Sequence, residues 1–297
     1  MSFAPVEVAA RSSASESIAR HRTSDLQHWW FVTRHQLRNY LRTGRFLGLF
    51  AFVFAISALT LIFELSAGVA AVRLEQLYRP SEYLSNFLGY TGSWIILAAA
   101  FFGGDALSVD FSTGAGYYML VLPIRRPVLL AGRYAAAVLV TLAIVGVYYA
   151  FAVGGAVYFF GGSYSIPWNG IVISLGVAAV VTLAALSFAF CISSFIRSPV
   201  AGVLVTLLIL WVGFLVLANA LNLVGLEPWW SLQYAGQAID EVLDTDGLHK
   251  QLVPIFGNQY YTIWTAGVYE GLTIAAAYVA AFLPLSAYLY QRKEMTG

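Results

Sequence analysis

From Tyr134 to Ile196 the chain contains no Asp, Glu, Lys or Arg. A membrane-spanning helix needs roughly 20 consecutive apolar residues, so this one stretch accommodates two spans and a turn. A soluble core has no need of so long a charge-free run. Of the 297 residues, 60% are hydrophobic and 10% charged, with a mean hydropathy of +0.74. Soluble domains are roughly 45–50% apolar and about 25% charged. The predicted fold class is therefore an all-α integral membrane protein. A net charge of +1, without a basic tract interleaved with aromatics, gives no ground for nucleic-acid binding. The single cysteine, Cys191, lies inside an apolar run, so intramolecular disulfides are excluded and a small buried residue is expected.

Apolar runs predict six transmembrane helices, at 46–65, 87–104, 128–160, 170–192, 200–221 and 271–290. The third run exceeds one bilayer crossing. Gly, Ser, Pro and Asn between residues 161 and 170 mark the turn after it. Within that run Gly146, Ala150 and Gly154 recur every four residues, which predicts a small-residue face against which another helix packs. Residues 1–25 are polar, rich in Ser and Ala, and lack the apolar core of a signal peptide; a disordered cytosolic tail is expected.

Orientation follows from the cations. Seven arginines precede the first span, among them Arg34, Arg38, Arg42 and Arg45. Arg125, Arg126 and Arg133 join the second span to the third, Arg197 the fourth to the fifth, and Arg292 and Lys293 follow the sixth. Only Arg73, Arg79 and Lys250 fall on the opposite side. The asymmetry predicts both termini in the cytosol of a multi-pass plasma-membrane protein. Asp240, Glu241, Asp244 and Asp246 fall in the outer segment, and Glu64 and Glu270 are expected at the outer headgroups rather than mid-membrane.

Residues 26–45 have helical periodicity. At 100° per residue, Arg34, Arg38, Arg42 and Arg45 share an arc of about 80°, beside Leu26, Trp29, Trp30, Leu37, Tyr40 and Leu41. The pattern predicts an amphipathic helix in the inner membrane interface, its arginines at anionic headgroups. His21, His28 and His35 recur every seven residues, but that spacing separates neighbours by about 10 Å along a helix, too far to share a metal ion.

The connection at 105–127 concentrates arginine, glycine and proline beside apolar sequence. Asp105 suits the N-cap of a short helix over 106–113, with Thr113 in its last turn and Gly114 and Gly116 ending it. An apolar return follows, and Pro123 and Pro127 bracket Arg125 and Arg126. Topology alone explains the arginines and helix breaking the prolines; neither explains the short helix or the apolar return.

In this connection the chain resembles the membrane subunits of type-2 ATP-binding-cassette transporters, the ABC-2 permeases. The matching positions are Asp110, Gly114, Leu120, Leu122, Pro123, Arg126 and Arg133, with Asp110 standing where Glu is commoner. Six spans, an amphipathic helix before the first, both ends inside and a long outer segment at 222–270 agree with the resemblance, which covers roughly 26–293. It implies an ABC-2 type exporter fold over 46–293. It further implies that 105–127 forms a cytosolic coupling loop docking on a separate ATPase subunit. Asp105, Asp110, Thr113, Gly114, Pro123, Arg125 and Arg126 would serve that contact, with Arg197 a minor one. A second permease chain would complete the complex, and ATP and Mg would be bound by the ATPase.

Within the chain itself no phosphate-cradling loop exists: Lys250 and Lys293 are its only lysines, and neither follows glycine. Phe102-Gly103-Gly104-Asp105 lacks the first glycine of an intramembrane aspartyl protease motif, and no zinc-protease or serine-hydrolase motif is present. Catalysis and resident cofactors are not expected. A secondary carrier or channel is the first alternative, but it lacks support from mid-span ionisable residues or an internal repeat. A non-transporting mechanical-relay or assembly subunit is the second. Apolar span interiors favour an amphipathic or lipid-like cargo. In the outer segment, Leu232, Ala235, Ile239 and Val242 predict one side of a short helix, and Trp229, Trp230, Tyr260, Tyr261, Trp264 and Tyr269 an interfacial belt.

Overall fold

The computed structural model describes residues 25–76, 78–109, 125–162, 164–244, 249–254 and 260–292. Among them, six helical stretches are long and apolar enough to cross a membrane. The chain begins with α1 (Asp25–Arg42) and, after a break at Thr43, enters α2 (Gly44–Ala67). Two short helices follow, α3 (Val69–Glu75) and α4 (Pro80–Leu88), then α5 (Thr91–Gly103). α4 and α5 together form the second apolar stretch, Pro80–Gly103, so the 87–104 expected from sequence starts too late. Pro80 fits the first turn of α4 because its missing N–H is one that a helix start leaves unpaired anyway.

α6 (Arg126–Phe160) and α7 (Trp168–Phe195) are the long third and fourth stretches. The fifth is composite: α8 (Pro199–Leu207), a π-helical turn at Leu208–Gly213, and α9 (Phe214–Val224). Ser198 caps α8, its side chain accepting from the Ala201 amide. α10 (Leu232–Glu241) and α11 (Val268–Arg292) complete the helices. Between them β1 (Lys250–Pro254) pairs antiparallel with β2 (Tyr260–Trp264), Leu252 opposite Thr262, a two-stranded addition within residues 222–270 to a fold that is otherwise helical, as expected.

The core lies where α5, α6 and α7 meet, around Ala98, Ala99, Ala137, Ile144, Leu186 and Phe190. α2 and α9 are exposed over most of their length and α11 over about half of it, with Ile62, Val216 and Tyr288 facing outward. Apolar side chains on a multi-span bundle are stable there because lipid, not water, is their solvent. α10 buries Leu232, Ala235, Ala238 and Ile239 against α7 and α11. Of the side predicted for it, only Val242 lies beyond its last turn.

Small residues on α6 do not behave as their spacing suggests. Gly146, Ala150 and Gly154 are all exposed, and nothing approaches where a Cβ would sit on either glycine. The buried face is the opposite one, with Val145, Tyr148, Ala152 and Ala156. Gly155 belongs to it: a Cβ there would collide with the Tyr83 hydroxyl.

Candidate functional site

Residues 102–109, where the chain leaves α5 for the 105–127 connection, are held by side chains from four other helices. From α1, the Tyr40 hydroxyl donates to the Phe102 carbonyl (2.9 Å). Arg45, at the start of α2, pairs with Asp105. From α6, Arg133 donates through Nη1 to the Ala106 carbonyl (2.8 Å). From α7, Ser193 Oγ accepts from the Leu107 amide (2.9 Å) and the Ser108 amide (3.2 Å). Ser108 and Val109 are already helical. The first amides of a helix have no partner within it, and here a hydroxyl from another helix supplies one.

Asp105 therefore does not do what its position before a helix suggests. The amides it was expected to cap go to Ser193, while its own carboxylate, 7% exposed, faces the half-exposed Arg45 guanidinium. Burial pushes the Asp105 carboxyl above the ordinary carboxylate range, and Arg45 and then Arg133 pull it back. Burial, reinforced by that carboxylate, also raises the Tyr40 hydroxyl far above the usual phenol value, so it stays a donor. A cavity of about 350 Å³ borders the junction, lined by Gln36, Asn39, Tyr40, Arg45 and Asp105 among others.

Backbone approaches backbone at the same place. A Cβ at Gly202 in α8 would collide with the Gly104 carbonyl oxygen, and a Cβ at Gly104 would lie 2.9 Å from Val203 Cα. Only glycine permits contact this close.

At the far end of the connection, Arg125 lies 3.2 Å from Asp25 at the start of α1, both exposed. Arg126 donates to the Gln291 carbonyl near the end of α11 (2.8 Å). Both ends of the connection, the N-terminal helix and the last turn of α11 thus gather at one end of the bundle. Asp110, Thr113, Gly114 and Pro123 lie outside the described residues. Arg197 is exposed between α7 and α8.

The interfacial set divides. α1 packs along α6, burying Val32, Thr33 and Tyr40. Arg34, Arg38 and Arg42 are exposed, as are Trp30, Phe31 and Leu41; Trp29 is half-buried. Arg45 stands apart from this face, because the helix breaks at Thr43 and places it on α2. One continuous helix over 26–45 is thereby corrected.

Within residues 222–270, the fold gathers Glu227, His249 and Glu270, whose nearest ligand-type atoms lie within 4.8 Å of one another. The Tyr234 hydroxyl donates to Glu227 (2.5 Å), and the Gly267 amide to Glu270 (3.0 Å). Sequence spacing gives no sign of this group, since its members come from three separated segments. Ser193 was equally hidden, one serine among several at the end of an apolar run.

In comparisons with known proteins, no family model and no curated protein matches the chain.

Proposed function

We propose that the chain is the transmembrane permease subunit of an ATP-driven exporter of the ABC-2 type. It works with a second permease chain and with separate ATPase subunits that bind ATP and Mg. Its termini and the 105–127 connection face the cytosol of the plasma membrane, and the chain has no catalytic residues of its own. The observation that carries this reading is the fastening of residues 102–108 to α1, α2, α6 and α7 through Tyr40, Arg45, Arg133 and Ser193. A loop that relays force has to be rigid where it joins the bundle, because slack at the joint absorbs displacement. Here the four side chains that fasten the joint come from four different helices, so a push on the connection reaches all four together. The gathering of Arg125, Arg126, Asp25 and Gln291 adds contacts of the same kind at the other end.

The exposed arginines and aromatics of α1 support its placement at the inner membrane surface, with cations toward anionic headgroups. The test is copurification of the tagged full-length chain with the ATPase encoded by the neighbouring reading frame, followed by ATP turnover in nanodiscs. A stable complex whose turnover depends on this chain is the expected result. A chain that purifies alone and moves solute down an ion gradient without nucleotide overturns the reading.

A further inference from the structure

At the end of the bundle opposite Asp105, a cavity of about 840 Å³ lies between the last turns of α2, the short helices α3 and α4, and α5 and α6. Its walls are aromatic, with Phe63, Phe87, Tyr90, Trp94 and Tyr148. Phe63 is 72% exposed and Tyr90 is also exposed, so these two rings stand at the mouth. Two carboxylates, Glu64 and Glu75, line the same space, and among the described residues no lysine or arginine does.

Two of the buried hydroxyls of the wall are already committed. Tyr83 donates to Glu64 (2.6 Å) and Tyr148 to the Phe87 carbonyl. What the wall presents to a ligand is chiefly ring surface and negative charge, with the Tyr90 hydroxyl and the Gln76–Asn86 amide pair at its polar side. Aromatic faces attract cations through their quadrupole, by about 0.5–1 kcal/mol at exposed sites and about 2 or more when desolvated. Carboxylates beside them add direct attraction and repel anions. A purely apolar guest would leave both carboxylates without a counter-charge.

A second cavity, of about 340 Å³, adjoins the first by sharing Asn86 and Tyr90. Asp240, Glu241 and Asp244 line it, with no lysine or arginine among the described lining residues. Carboxylates of one sign along adjoining clefts focus the field and raise the local concentration of positive ligands.

We propose that the aromatic cavity bounded by Glu64 and Glu75 binds an amphiphilic organic cation. The ammonium-type centre sits between the two carboxylates, and the hydrocarbon body lies against Phe63, Phe87 and Trp94. Binding stands independently of any ATPase; only the further step of naming this ligand as exported cargo rests on the function proposed above.

The test uses the full-length chain in phosphatidylcholine nanodiscs, with no ATPase present and empty nanodiscs as the baseline. The probes are tetraphenylphosphonium and tetraphenylborate, matched in size and shape and opposite in charge. Equilibrium dialysis is expected to show saturable binding of the cation and only baseline uptake of the anion. Glu64→Gln and Glu75→Gln should each weaken cation binding about tenfold. Glu64 also accepts from Tyr83, so its variant risks a packing change; Glu75 is exposed, and its variant keeps the test sound if the first one misfolds. Equal uptake of both ions, no saturable cation binding, or unchanged affinity in Glu75→Gln would each overturn the site. Because ATPase copurification is read separately, either result can fail while the other holds.

Discussion

Arg45, the second residue of the first spanning helix, reaches the carboxylate of Asp105, just past the end of the second, and closes one side of the joint at which the 105–127 connection begins. The pair is unequal. Asp105 is buried while the guanidinium is half in solvent, so losing one partner is not equivalent to losing the other.

Arg45→Ala should be the more damaging change. It leaves a buried carboxylate without its cation, whereas Asp105→Asn leaves an arginine that can turn to solvent and an amide that can still accept. Because the folded Asp105 carboxyl already lies above its unfolded value of 3.8, its contribution to stability is full below that pH and fades as pH rises. Removing Arg45 raises the folded value further and steepens that loss. Thermal unfolding in nanodiscs between pH 4 and 8 should show the Tm of Arg45→Ala falling with pH more than that of Asp105→Asn.

Ser193→Ala deprives the Leu107 and Ser108 amides of their acceptor at a buried position. The expected cost is about 2 kcal/mol, in the range for buried donors left unpaired. Hydrogen exchange should speed up at those two amides ahead of the rest of the bundle, and Ser193→Thr should restore protection.

Two glycines should respond in opposite ways to alanine. Gly202→Ala forces a methyl into the Gly104 carbonyl and should destabilise by about 1–3 kcal/mol, as overpacking does. Gly146→Ala meets nothing within 4 Å and should be neutral or stabilising by up to about 1 kcal/mol, through helix propensity alone. Chemical unfolding of both variants beside the parent checks the contrast.

Asp240, in α10, is pushed up to about 7, first by burial and then by Glu241 and Asp244, against its own backbone amide. A raised folded value means that the fold favours the protonated form. The contribution is complete below about 4, the unfolded carboxylate value. It is lost as pH rises toward about 7. Asp240→Asn should flatten the pH dependence of Tm across that window and leave the variant more stable than the parent at pH 8.

Arg125→Glu combined with Arg126→Glu removes one exposed ion pair and one exposed hydrogen bond, so folding should change by no more than about 1 kcal/mol. In the complex proposed above, ATP turnover should persist while transport falls at least tenfold. Full transport in that variant would argue against a coupling role.

The bundle was legible because lipid leaves a simple signature: charge disappears for a helix length and returns at the ends. Span edges were less so. Arg79, Ser81 and Glu82 read as an outer loop, yet Pro80 starts a helix there that continues, after a short break, into the second span. The hairpin at Lys250–Pro254 was missed because Tyr260, Tyr261 and Trp264 suit a strand and an interfacial belt equally well. At the joint, Asp105 and Arg45 were both singled out, for separate reasons, and nothing in their spacing of sixty residues says that they meet. Ser193 follows the same logic: a hydroxyl at the end of an apolar run becomes meaningful only once the amides it accepts from are in place.

The approach of Gly104 to Gly202 has a mechanical consequence. With no side chain between the two backbones there is nothing to compress, so the second and fifth spans cannot close further at that point. Rotation about it, as on a fulcrum, stays open. A swing of about 10° carries their far ends, about 30 Å away across the hydrocarbon, through about 5 Å. In the complex proposed above, motion delivered at one surface would thus be magnified at the other.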